Sequence, residues 1–239
     1  MRPGVTVTDY LTGVFAAQAA LGLLYERDAR GTGTGGVIDA YLYGSALRIL
    51  EWSIAAYDKL GVVRNRSGNR LQHSAPLDNY PSRDGRYVCI VAAMQTNFER
   101  LCQAMERPDL LTDERYATAG ARARNNDAIN QVVADWAAGL DAAEIERRCV
   151  AHDVPVGTAY DAADLSADEH VLARGDILTV DDPVIGPVRQ QAPFPRIGGQ
   201  GPGVPTGAPR LGEHTDEVLA TVLGLDDGEL ARLHAAGII

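Results

Sequence analysis

The chain has 239 residues, 46% hydrophobic and 23% charged, an ordinary globular composition sufficient for one large domain or two small ones. Its net charge of −10 argues against a nucleic-acid or anionic-membrane surface, and means that any bound polyanion needs locally placed cations. Three widely spaced cysteines, Cys89, Cys102 and Cys149, fit neither a disulfide framework nor a zinc site and read as reduced, mostly buried thiols of a cytoplasmic protein.

In chain order, a first helix is expected over residues 9–28. Gly13, Ala16, Ala17, Ala19, Ala20 and Gly22 give it a small-residue face, and Leu11, Phe15, Leu23 and Leu24 supply bulk, the pattern of a buried helix. Asp9 at its start has the position of an N-cap. No apolar run is expected to approach the ~20 residues that span a bilayer, and no signal peptide is legible. The turn Gly31-Thr32-Gly33-Thr34-Gly35-Gly36 matches the letters of a dinucleotide fingerprint, but it follows a helix and precedes a strand, the reverse of that motif's order. A strand is expected over residues 37–42. A second helix follows over 43–59, with Leu47, Leu50, Ile54 and Tyr57 at helical spacing.

Residues 65–85 read as a polar loop leading into a second domain, with His73 beside Ser74, Pro76, Asp78 and Asn79. Beyond it lie a strand at 87–91 and helices at 96–105, 126–138 and 142–151. Asp141 with Glu144, and Ser166 with Glu169, have the spacing of capping boxes. A hairpin is expected over 177–189 and an irregular Gly/Pro linker over 193–209. Thr215 is placed to cap a short helix ending at Gly224, and Asp226 with Glu229 to cap the last. His214, beside Thr215, reads as structural. The histidines show no metal-ligand spacing, so no metal is expected.

Several segments together resemble one family. The opening Val5-Thr6-Val7-Thr8-Asp9-Tyr10-Leu11-Thr12-Gly13, its small-residue helix, the Gly-x-Gly turn and Val37-Ile38-Asp39 look like the nucleophile segment of the class III CoA-transferases. Leu111-Thr112-Asp113-Glu114-Arg115-Tyr116 is similar to the family's Asp-x-Arg-aromatic segment, and His152-Asp153-Val154-Pro155-Val156-Gly157 to its Gly-Val-Pro-x-Gly strand entry. The stretch from Ala208-Pro209-Arg210-Leu211-Gly212 to Val218-Leu219 resembles its closing signature. Gly36 stands where glutamine is usual. The resemblance covers essentially the whole chain, as the C-terminal portion of a family protein. It implies an α/β, mostly helical fold: a partial Rossmann-like large domain plus a small α/β domain. The expected divisions are 1–68 (nucleophile segment), 69–169 (small domain) and 170–239 (linker and return to the large domain).

The resemblance further implies that Asp9 is the catalytic nucleophile. A carboxylate at a helix N-terminus is favoured as an anion, and an anion can attack a thioester to give a covalent acyl-enzyme. His73 lies where the family's active-site loop approaches, which makes it a substrate-binding candidate, although the family's glycine run is missing. The implied substrates are acyl-CoA and a carboxylic acid, with no permanently bound cofactor. The implied partners are a second copy in a homodimer or a chain carrying the coenzyme-binding N-terminal half, since only eight residues precede Asp9. On that expectation the chain alone binds CoA weakly or not at all. Two other readings stand: a non-catalytic interaction module, and an isomerase like the related α-methylacyl-CoA racemase. The racemase is disfavoured because Gln95-Thr96-Asn97-Phe98 lacks the glutamate of the racemase stretch.

Overall fold

The computed structural model describes residues 4–198 and 206–239. The chain divides into two compact units, Met1–Leu71 and Gln72–Ile239. The fold is mixed α/β, with helices predominating.

The first unit is all helix and irregular chain. Helix α1 spans Val7–Asp28, two residues earlier than expected, so Asp9 stands in its first turn and Thr6 holds the N-cap position. The expectation that α1 is buried is not met: none of its residues is buried, and Tyr10, Val14, Leu21 and Tyr25 are largely exposed. Its apolar surface finds too little of its own unit to pack against. By length and composition alone α1 is also apolar enough to cross a membrane, with a mean hydropathy of 1.3, which corrects the expectation that no such run exists. Core helices of soluble proteins reach the same values.

The strand expected at 37–42 is also absent. Residues 31–41 are irregular and Val37 is 99% exposed. A strand is defined by its ladder, and the described part of this unit offers no second strand. The single second helix is two, α2 (Leu42–Arg48) and α3 (Ser53–Leu60). Glu51 breaks the run by adopting a left-handed backbone conformation, φ 53°.

The second unit closes a core. Strands β1 (Leu77–Pro81), β2 (Tyr87–Val91) and β3 (Val156–Thr158) form an antiparallel sheet with β2 in the middle. The register sets Tyr80 opposite Val88 and Ile90 opposite Val156. Alternation along β2 buries Val88 and Ile90 on one face. Helix α4 (Gln95–Ala104) adds Phe98, Leu101 and Cys102, and after the 3₁₀ turn Pro108–Leu111 and short α5 (Ala119–Arg124), α6 (Asn126–Ala138) adds Ile129, Val133 and Ala137. Helix α7 (Ala142–Ala151) completes the core with Ala142, Ile145 and Cys149. Each helix presents its apolar residues at three- and four-residue spacing.

The two expected capping boxes take other forms. Asp141 holds the N-cap position of α7, but its carboxylate is taken by Arg83 at 2.8 and 2.9 Å, and the Ala142 amide donates to Asp84 instead. Glu144 is taken by Arg147 and Arg148, which pull its carboxyl down to about 2. Downstream, Asp161 and Asp164 form a capping box on α8 (Ala162–Ala167), and Asp168, not Ser166, caps α9 (Glu169–Arg174).

The expected hairpin is present as β4 (Ile177–Asp182) paired with β5 (Gly186–Gln191). The 193–209 linker lies partly outside the described residues. Helix α10 (Thr215–Leu223) begins at Thr215 with His214 at the N-cap, and Gly224 ends it at φ 72°, where a side chain would be strained. Helix α11 (Asp227–Ala235) carries the expected box of Asp226 and Glu229.

Candidate active site

Asp9 is exposed, three residues into α1. The free amides of a helix's first turn make its N-terminus electropositive, so a carboxylate there sits in a favourable field. The Thr8 hydroxyl donates to it at 3.4 Å. The N-cap role read from the sequence falls to Thr6 by position, and Thr6 makes no side-chain cap bond.

One turn beyond Asp9, a cleft of about 370 Å³ opens between α1, residues 38–41 and the start of α2. Thr12, Phe15, Ile38, Asp39, Tyr41 and Arg48 help line it. Gly44 allows the Tyr41 ring to lie across the first turn of α2: a Cβ there would stand 2.4 Å from a ring carbon. The cleft therefore combines an apolar wall with one cation, one carboxylate and hydroxyl groups, the mixture expected of a site that takes a small polar molecule. Of the arginines in the loop that follows, Arg64 is occupied, paired with Glu51 at 3.2 Å and stacked over Trp52.

His73 belongs to the second unit, whereas Asp9 belongs to the first. His73 is exposed in a turn just before β1. The segment that follows it is held from below by Arg122, a residue without a role in the sequence reading. Arg122 is fully buried. Its guanidinium donates to the carbonyls of Ala75 (3.1 Å), Tyr116 (2.9 Å) and Ala93 (3.0 Å) and to Gln95 Oε1 (2.9 Å). It also stacks on Phe98, 4.2 Å from the ring centre. Burial lowers its pKa from the ordinary arginine value. Gln95 and Phe98, the stretch compared with the racemase signature, are thus spent on this network. Asp113-Glu114-Arg115-Tyr116 ends at the same place: Arg115 pairs with Asp113 at 2.6 Å, and buried Tyr116 supplies its carbonyl to Arg122.

Cys102 and Cys149 are buried, and burial pushes both thiols up to about 12, which makes them poor nucleophiles at neutral pH. Cys89 is half-buried in β2.

The model of CoA-transferase family III matches residues 1–215, Asp9 and His73 included. The succinyl-CoA–D-citramalate CoA-transferase of Chloroflexus aurantiacus is 36% identical over 238 residues, covering 100% of this chain and 59% of its own length. The alpha subunit of succinyl-CoA–L-malate CoA-transferase from Chloroflexus aurantiacus is 36% identical over 232 residues, covering 97% of this chain and 54% of its own. Among solved structures, a CAIB/BAIF family protein from Brucella suis superposes with a TM-score of 0.74 at 26% identity, over 93% of this chain and 57% of that one. The chain thus spans somewhat more than half the length of these relatives.

Proposed function

Because the chain belongs to CoA-transferase family III, we propose that it takes part in moving CoA from an acyl-CoA to a free carboxylic acid, with Asp9 as covalent nucleophile. The observation that carries this reading is an exposed carboxylate in the first turn of α1, within the segment that matches the family. An Asp9 oxygen attacks the thioester carbon and CoA leaves as thiolate, giving a mixed anhydride. The thiolate returns to the Asp9 acyl carbon, releasing the donor acid and leaving an aspartyl–CoA thioester. The acceptor carboxylate attacks that thioester, and CoA thiolate then attacks the acceptor's acyl carbon, freeing Asp9. Splitting one exchange into such steps is covalent catalysis, and each oxyanion needs preorganised donors.

The relatives named above act with succinyl-CoA on hydroxylated dicarboxylic acids. We extend that substrate class to this chain: a dicarboxylic acyl-CoA as donor and a hydroxydicarboxylate as acceptor, with His73 on the substrate side. The test is Asp9→Asn and Asp9→Ala. Transfer should fall about a thousandfold or more, as when other covalent nucleophiles are removed, while the unfolding transition stays in place because Asp9 is exposed. Undiminished transfer would rule the role out.

The reading includes a further polypeptide over the first unit, either a second copy or a chain bearing the coenzyme-binding half. In support, Tyr10, Val14, Leu21 and Tyr25 of α1 are largely exposed, the kind of apolar surface that another polypeptide covers. On the same reading, residues 170–239 return to the large domain.

A further inference from the structure

The first unit has a single buried residue among those described, and it is polar: Ser45, 5% exposed. Its hydroxyl lies 2.9 Å from the Thr12 hydroxyl, 3.2 Å from the Thr8 carbonyl oxygen and 2.8 Å from the Leu42 carbonyl oxygen. The Thr12 hydroxyl in turn lies 2.7 Å from the Thr8 carbonyl oxygen. Two hydroxyl protons serve this cluster. Two oxygens 2.9 Å apart need a proton between them, so at least one bond runs from helix to helix. Whichever way the remaining proton turns, it meets the Thr8 or the Leu42 carbonyl.

The Thr8 carbonyl belongs to the peptide that leads into Asp9. Fixing that peptide plane places the Asp9 N and Cα, and with the helical φ of Asp9 it sets the direction of the Cα–Cβ bond. Little else holds this turn, since α1 has no buried residue and its N-cap makes no side-chain bond. A helix start held only by its own ladder frays readily, and a nucleophile on a fraying turn meets its target in the wrong orientation most of the time.

Resting on the Asp9 reading above, we infer that Thr12 and Ser45 are positioning residues: their hydroxyl clamp holds the first turn of α1 against α2 and aims the Asp9 carboxylate. Neither touches a reacting atom.

The experiment compares the full chain, purified with any partner it retains, with Thr12→Val, Thr12→Ser and Ser45→Ala. Amide hydrogen exchange over residues 7–13 reads the clamp. Millimolar succinyl-CoA with hydroxylamine, which converts an activated Asp9 carbonyl into a hydroxamate detectable by mass spectrometry, reads the aim. Thr12→Val and Ser45→Ala should exchange faster over 7–13 and form the Asp9 adduct roughly tenfold to a hundredfold more slowly. Thr12→Ser, which keeps the hydroxyl, should stay near the parent in both, with melting temperatures and helix content alike throughout. Exchange and adduct rates that are equal in all four proteins would overturn the inference while leaving the Asp9 reading intact. No Asp9 adduct on the parent protein would overturn both. A loss in Thr12→Ser as large as in Thr12→Val would reduce the cluster to ordinary packing and also overturn it.

Discussion

The two units are built from similar apolar patterns and reach opposite ends. Val88, Ile90, Phe98, Leu101, Ile129, Val133 and Ile145 of the second unit are wholly removed from water. In the first unit no described hydrophobic side chain is. Leu21 and Val14 on α1 are as apolar as Ile129 and Val133 on α6, yet they stay largely exposed. Burial requires a second surface of complementary shape. The second unit folds a sheet and three helices onto one another within about one small domain's length of chain; the described part of the first has helices and no sheet. On the reading proposed above, the apolar side of α1, uncovered in its own unit, is where other polypeptide packs.

Substitutions can break this comparison, and the largest effect should come from Arg122. Arg122→Ala strands four acceptors and leaves a hole over Phe98. Each unsatisfied buried group costs about 1–3 kcal/mol, so urea unfolding of the second unit should show a loss of about 3 kcal/mol or more. A loss below 1 kcal/mol would mean that water reaches those carbonyls. Next comes Ile90→Ala, a large-to-small change at a fully buried site, expected to cost about 2–5 kcal/mol. Leu21→Ala is the contrasting change: on exposed α1 it should alter stability by less than about 0.5 kcal/mol while weakening whatever association light scattering detects. If Leu21→Ala destabilises as much as Ile90→Ala, the first unit has a core of its own and the comparison fails. The smallest effect is chemical. With a haloacetamide at neutral pH, Cys89 should be alkylated before Cys102 and Cys149, whose thiols are buried and pushed up to about 12. Equal rates at the three sites would indicate frequent opening of the second unit.

What the sequence revealed tracks the same divide. Helices α6 and α7 were legible to the residue and β2 fully, because their patterns are satisfied inside their own unit. Strand β1 was read as loop: Leu77-Asp78-Asn79-Tyr80-Pro81 is polar and ends in proline, which suits an edge strand paired on one side only. The strand expected at 37–42 failed for the opposite reason. Its residues favour a strand, and no partner ladder is there to make one. The capping box expected at Asp141 and Glu144 failed through competition, since Arg83, Arg147 and Arg148 claim the carboxylates that the spacing assigned to backbone amides, whereas the one expected at Ser166 gave way to Asp168 at the N-cap and that of Asp226 and Glu229 formed. At the candidate site, Asp9 was picked out in the sequence from the run of residues that follows it. Ser45 and Arg122 were not, because what marks them is which carbonyls they reach, across 37 and 47 residues of sequence.

Arg122 carries one more consequence. Among the described residues many ion pairs lie at the surface, between groups that are well exposed, where added salt screens them and acid neutralises their carboxylates. The acceptors around Arg122 are three backbone carbonyls and an amide, none of which titrates, and the group itself is sealed from counterions. The grip beneath the His73 turn is therefore indifferent to ionic strength and to acidity. Through swings that loosen the surface pairs, the Ala75 carbonyl keeps its anchor.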